Sequence, residues 1–499
     1  MNIASFKSII YIGFSAATLI SCTKDFEDIN KPPTSVISVD PALLISRILR
    51  DGTFQESGEL PNNKFGSWIQ QWAGGPVVPV SRYFEGPENL IWSQHYTLLR
   101  NIVQIKEELK GQEDLPTGRS KLAIAEIYEV YLYQRLTDLF GDIPYSEVTT
   151  SNQEINRTPK FDLQEEIYPS LIQKLDQALS KLTSGDESYG TSDFFYSGNI
   201  DQWKKFGNSL KLRLGMRIRY ANPSLAEQTI TAAMTSSYGL LANNSDNAAV
   251  PTYNDAQAEN QNPILRQNIT GSSDLRYLAN TLVDQLKDYD DPRLPILAQP
   301  VTINGTQVYQ GIGVALTDNE LSELIRVNFS TPNTSTWFSL SHSPIPSYAM
   351  TYADICYYKA EAALLNWGAS SDDAHTFFVD GVKASFALAP YNLTSIPSAY
   401  EQNILSFTGL STEQKLEKIA IQKWVQLFGR NLEAFAEWRR MGYPILTPGP
   451  NQGSTNGNIP RRGIYSSEEV ELNRTNYEEA VGRMSNGDSF LSKVWWDQN

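Results

Sequence analysis

Apolar residues return at every third or fourth position along several long stretches, and that spacing confines the chain to packed helices. Ile124, Ile127, Tyr128, Tyr131, Leu136 and Leu139 form one stripe; Leu163, Ile167, Leu171, Leu175, Leu179 and Leu182 form a second. Leu416, Ile419, Ala420, Trp424 and Leu427 form a third. The pattern predicts further helices near 41–50, 89–110, 274–288, 350–366 and 372–387. Helices so numerous and mostly paired point to stacked hairpins of tetratricopeptide type, with degenerate units because no regular repeat is visible. The segment Trp203 to Ile218 reads two ways. Leu210, Leu212, Leu214, Met216 and Ile218 alternate as in a strand, whereas Trp203, Phe206, Leu210, Leu214 and Ile218 keep helical spacing. Length favours the helix, with Lys211, Arg213 and Arg217 expected on its wetter sides.

Long irregular stretches rich in Gly, Pro, Asn, Ser and Thr separate the helices at 73–88, 140–160, 184–199, 239–272, 291–348 and 443–475. Loops of this length on a rigid scaffold are where binding sites are usually built. Val301, Ile303, Val308, Tyr309 and Val314 suggest a short hairpin within one of them. At 499 residues and 41% hydrophobic composition the chain can bury a large core, which excludes disorder. No break in composition marks a second independent domain, so 39–499 reads as one helix-rich unit. A net charge of −15 repels phosphate backbones and argues against nucleic acid as a partner. Histidines only at 95, 342 and 375 leave little material for a histidine-built metal or catalytic site.

The N-terminus carries an address. Lys7, an apolar run from Ile9 to Leu19 and small residues before Cys22 describe an export signal over 1–21. That run of about 11 residues spans roughly 16 Å as a helix, too short for a hydrocarbon core of about 30 Å. Leu19-Ile20-Ser21-Cys22 resembles a bacterial lipobox, in which the Cys22 thiol receives a diacylglycerol and becomes the new N-terminus. The polar stretch 22–38 that follows reads as a flexible tether. Its cluster Asp25, Glu27 and Asp28 beside Lys24 resembles the signal that sends Bacteroidetes lipoproteins to the outer face of the outer membrane. Cys356, the remaining thiol, lies in an apolar helical run and reads as a small buried hydrophobe rather than a nucleophile.

Four segments then point one way: Leu139-Phe-Gly-Asp-Ile-Pro-Tyr-Ser-Glu147; Trp203 to Leu214; Ile421-Gln-Lys-Trp424 continuing to Glu433-Ala-Phe-Ala-Glu-Trp-Arg-Arg-Met-Gly-Tyr-Pro444; and the ending Lys493-Val-Trp-Trp-Asp497. With the lipobox, their order and spacing make the chain resemble the SusD/RagB family of nutrient-binding outer-membrane lipoproteins of Bacteroidetes. The resemblance implies a mainly α fold, with tetratricopeptide-like hairpins and a loop-rich lobe containing at most short β-hairpins. It implies a SusC-like TonB-dependent transporter as partner, an oligosaccharide cargo (or a peptide, as in RagB), and no chemistry on the cargo. Neither cofactor nor metal is expected.

The identifying segments themselves read as scaffold. Gly141 suits a left-handed helix end, Pro144 stops continuation, Trp424 and Trp438 sit among apolar neighbours, and Arg439 and Arg440 have Glu433 and Glu437 within reach as partners. Ligand contacts are expected instead from aromatics on loops, because sugar rings stack apolar C–H faces on them while planar polar groups bond the hydroxyls. Two loops fit: one with Trp72, Arg82 and Tyr83, with Trp92 just beyond, and one with Asn333, Trp337 and Phe338. The four-residue spacings Trp68–Trp72 and Trp92–Tyr96 equally suit buried helix stripes. Asp288, Asp290 and Asp291 lack the alternating ligands and central glycine of a calcium loop and read as a solvated helix end. A surface glycoside hydrolase needs two carboxylates about 5–10 Å apart, and no motif ranks one pair above another. No Gly-x-Ser-x-Gly, His-Glu-x-x-His or phosphate loop is present. A purely structural helical scaffold is the third class.

Overall fold

A computed structural model describes residues 39–58, 64–73, 82–148, 156–253, 257–264, 266, 277–336, 344–451 and 453–499. Its longer helices are α1 (Pro41–Phe54), α2 (Asn89–Glu108), α3 (Pro116–Phe140), α4 (Gln164–Lys181), α5 (Ile200–Arg217) and α6 (Pro223–Thr235). They continue as α7 (Asn280–Asp288), α8 (Tyr352–Leu364), α9 (Ala374–Phe386), α10 (Thr412–Gln426), α11 (Asn431–Met441) and α12 (Arg474–Gly482). Neighbours pack as pairs, α1 with α2, α3 with α4, α5 with α6, α8 with α9 and α10 with α11, as the apolar spacing predicted.

Helix α3 is the axis of this arrangement. Every residue from Ile127 to Phe140 is buried, so the helix has no solvent face there. Pro116 suits its first turn, where an N–H would be unpaired anyway. Gly141 ends it at φ 82° and ψ −120°. That is not the left-handed helical end expected from the sequence, though it too is a conformation suited to a residue lacking Cβ. The ambiguous segment is helical: Asn199 caps α5 by accepting from the N–H groups of Asp201 and Gln202.

Strands are few and short. β1 (Trp72–Ala73) pairs with β5 (Tyr277–Leu278), β2 (Ile143–Pro144) with β3 (Phe161–Asp162), and β4 (Ala248–Val250) with β8 (Ser347–Met350). β6 (Val301–Ile303) and β7 (Thr306–Val308) form the expected hairpin, turning at Asn304 and Gly305 with φ 52° and 79°.

Three of the four motif segments contribute to a buried ionic cluster, and the first begins one residue after Asp138, which also joins it. Arg213 and Arg217, expected on wetter faces of α5, are wholly buried. Their guanidinium groups meet Glu433 of α11 at 3.5 and 2.7 Å, and Arg217 also reaches Glu437 at 2.9 Å and Asp138 of α3 at 3.2 Å. Arg440 bridges Glu437 at 2.7 Å and Glu361 of α8 at 2.5 Å, while Lys423 of α10 holds Glu437 at 2.7 Å. The Tyr358 hydroxyl lies 3.1 Å from Glu433 and 3.2 Å from Glu437. A charge can be buried once partners of opposite sign compensate it. Burial alone would raise the Glu433 pKa, but Arg213 and Arg217 hold it down to about 2. Burial pulls Lys423 down to about 8 even against Glu437. Arg439 donates instead to the carbonyls of Phe435, Arg461 and Asp138. The chain ending closes the cluster, with Trp496 buried against the guanidinium groups of Arg217 and Arg439 at 5.4 and 4.7 Å.

Asp291 corrects a second expectation. It is not solvated but turns inward after α7, pairing with buried Arg293 at 2.6 Å and accepting from the Tyr400 hydroxyl at 2.7 Å. Cys356 is fully buried in α8, and burial pushes its thiol up to about 12, as befits a packing residue.

Candidate ligand-binding cleft

The loop aromatics singled out in the sequence lie largely inside the fold. Trp72 is 4% exposed in β1 and stacks on Phe428 with centroids 4.6 Å apart. Gly66 makes room for it, since a Cβ there would lie 2.5 Å from the indole. Tyr83 is buried, and its carbonyl accepts from the Ser454 N–H at 3.1 Å. Trp92 is 3% exposed, packs against Tyr96, Phe140 and Tyr465, and donates its indole N–H to Glu469 at 3.2 Å. These three rings are therefore not displayed as stacking platforms, because their faces are taken by neighbouring side chains. Arg82 is held by Asp318 at 2.6 Å. Asn333 organises its own turn, donating to the Pro295 carbonyl at 2.9 Å and accepting from the Ser335 N–H at 2.9 Å. Trp337 and Phe338 lie outside the described residues, as does Cys22. The seven predicted contacts thus do not assemble into one site among the described residues.

A cleft forms elsewhere, from segments far apart in sequence. Asn262, Ile264, Ile345, Ser347, Tyr348, Leu388, Tyr391, Gln426, Phe428 and Arg430 line it. The carbonyl of Ile345 anchors one rim by accepting from Asn262 Nδ2 at 2.9 Å and Thr252 Oγ1 at 2.8 Å. Phe428 connects the cleft to Trp72, on which it stacks. Gly429 shapes the wall. It sits at φ +83°, and a Cβ there would meet Ile264 Cδ1 at 2.3 Å. Next to Thr252, Tyr253 is 55% exposed. Burial pushes the Tyr348 hydroxyl up to about 12, so it remains a neutral hydrogen-bonding group at physiological pH.

Apolar walls with a few directed polar groups suit a neutral polyhydroxylated or amide-bearing molecule. The sequence offered one clue: Phe428-Gly429-Arg430 interrupts the α10–α11 hairpin inside an otherwise helical motif. Tyr348, Leu388 and Tyr391 gave none, because nothing local to them announces that they share a wall. Among the described residues no group of three His, Cys, Asp or Glu side chains is arranged to hold a metal ion. Nor is any described helix long and apolar enough to cross a membrane.

Residues 33–466 match the SusD-like family described as starch-binding, associating with the outer membrane. Among solved structures, a chitin-binding protein is 29% identical, with a TM-score of 0.78 over 92% of this chain and 100% of that one. A SusD homologue from Bacteroides uniformis is 26% identical, with a TM-score of 0.69 over 90% and 99%. A chitin-binding SusD homologue from Flavobacterium johnsoniae, at 24% identity and a TM-score of 0.74 over 92% and 98%, shares the fold. No curated protein matches. The mainly α fold of paired helices, the motif segments and a match across most of the length agree: the chain belongs to the SusD-like family.

Proposed function

We propose that this chain is a lipid-anchored surface lipoprotein that binds nutrient oligosaccharides and passes them, chemically unchanged, to a SusC-like TonB-dependent transporter. The family match over residues 33–466 carries the reading, since that family is described as starch-binding and outer-membrane-associated. The 29%-identical chitin-binding structure supports a glycan as the ligand. In this reading residues 1–21 are removed, Cys22 is acylated, 22–38 is a tether and 39–499 is the binding domain. Each buried methylene of the acyl chains contributes about 0.8 kcal/mol to anchoring. Trp337 and Phe338 serve as ring platforms for the sugar.

The test combines calorimetry against a panel of polysaccharides, a reducing-end assay on the same mixtures, and purification from outer membranes. Binding without release of reducing ends, together with a co-purifying large β-barrel, is the expected result. Saccharide turnover, or a periplasm-facing protein with no barrel companion, overturns it. Trp337→Ala is expected to weaken glycan binding at unchanged melting temperature; the opposite pattern removes Trp337 from the site.

A further inference from the structure

The α10–α11 hairpin turns at the cleft, through Gln426, Phe428 and Arg430. Its other end lies about 22 Å away, the length of the 15 residues of α10. Two tyrosines stand there: Tyr443 follows α11, and Tyr220 follows α5. The Tyr443 hydroxyl donates to Glu413 Oε1, in the first turn of α10, at 2.8 Å. That bond above all, with Glu417 and Tyr220 nearby, pushes the hydroxyl up to about 12, so it stays a donor at physiological pH. Tyr220 is 40% exposed, and Ile445, two residues past Tyr443, is 80% exposed.

Both tyrosines are held from behind. Tyr443 packs, beside Leu364, on buried Leu416, Ala420 and Met441. Arg219, itself buried and paired with Glu361 at 2.5 Å, places its guanidinium 4.2 Å from the Tyr220 ring centroid and donates to the hydroxyl. What Tyr220 exposes is therefore its side away from Arg219. A side chain fixed in this way loses little conformational entropy when a ligand stacks on it. Glu413 is exposed and Glu417 half-buried, one helical turn apart on the same face of α10. A carboxylate only accepts and has about four acceptor positions, so Glu413 has room for a further bond beside that from Tyr443.

Rings beside carboxylate acceptors match a molecule with an apolar face rimmed by hydroxyl donors, which is the chemistry of a pyranose. A purely apolar protein face would desolvate both carboxylates without pairing them. A cation also suits carboxylates and rings, but Arg219 already brings positive charge against Tyr220. We propose that Tyr220 and Tyr443 form a second sugar platform, remote from the cleft, which takes a neutral pyranose while Glu413 and Glu417 accept from its hydroxyls. This rests on the oligosaccharide-binding reading above and adds to it. A protein with two separate sites holds a polysaccharide at both, and gains an affinity that a short oligosaccharide does not provide.

The test measures depletion binding to colloidal chitin, amylose and xylan, and calorimetry with the tetrasaccharide of each. Tyr220→Ala is expected to weaken binding to the preferred polysaccharide at least about fivefold, while the affinity for its tetrasaccharide stays within about twofold. Glu417→Gln should act in the same direction and more weakly. Melting curves establish that each variant is folded, and Glu417→Gln carries the test if Tyr220→Ala does not fold. Polysaccharide affinity unchanged in the folded variants overturns the inference. So does a parallel loss of tetrasaccharide affinity, which would place Tyr220 in the primary site, and so does a preference for a glucosamine tetramer that 0.5 M salt abolishes (about 0.5 M screens charges beyond a few Å). Each of these leaves the oligosaccharide reading standing. Failure of the parent protein to bind any of the saccharides overturns both.

Discussion

Around Glu433 and Glu437 each carboxylate is met by two or more cations from other parts of the fold, whereas the cleft is lined mainly by Ile264, Ile345, Leu388, Tyr391 and Phe428, with few charged groups. Both regions use the α10–α11 hairpin, and they lie within a few residues of each other in sequence. The ionic cluster ties α3, α5, α8, α10 and α11 together through ion pairs at 2.5–3.5 Å. The cleft is instead walled by apolar side chains and a few polar ones brought together from segments far apart in sequence. The difference teaches that the segments identifying the family report on stability, while the cleft is assembled by tertiary packing from residues that no single motif contains.

The largest effect that would break this contrast comes from Arg217→Met. It leaves Glu433, Glu437 and Asp138 short of a cation and is expected to cost about 3–5 kcal/mol in denaturant unfolding. Glycan affinity of the folded protein should be unchanged; a parallel loss of affinity would show that the two regions are not separable.

Acid should act on the core in the same direction. Glu433 titrates near 2 in the folded protein against 4.5 as its ordinary value, so below 4.5 the unfolded chain takes up a proton that the native carboxylate refuses. Stability is therefore full above about 4.5 and lost as pH falls below it. Asp138, whose pKa burial raises, runs the other way and offsets part of it. Melting temperature followed from pH 6 to about 2.5 should fall less steeply in Glu433→Gln than in the parent. A parallel curve would remove Glu433 as the source.

Gly429→Ala sharpens the comparison because it touches both sides. Positive φ and the encroachment on Ile264 predict a loss of about 1–3 kcal/mol together with weakened binding, since the cleft wall must move. Tyr253→Ala gives the smallest stability change, within about 0.5 kcal/mol for an exposed ring. A severalfold drop in glycan affinity at that position, read by calorimetry, would extend the site to the exposed rim; no drop would confine it to the cleft.

Much of the fold was legible because helix formation is local. The stripes in α3, α4 and α10 follow from a 3.6-residue period, and the Asn304-Gly305 turn follows from two residues that tolerate positive φ. For α5 the length of the pattern, rather than its alternation, chose correctly. The site was far less legible. Trp72 and Trp92 were offered as ligand rings because they stand near loops, yet Phe428 covers the one and Phe140 and Tyr465 flank the other. These covering residues lie far along the chain, and no local pattern indicates them.

The sequence by itself determined the helices, their pairing and the family, because periodicity, caps and ordered motifs act over a few residues at a time. Only the tertiary structure decided where charge goes inside and where a cleft opens. Arg217 reads as a solvent residue until Glu433, 216 positions away, stands 2.7 Å from it. The physical reason is that burying a polar group is unfavourable or harmless according to its partner, and the partner is supplied by the fold.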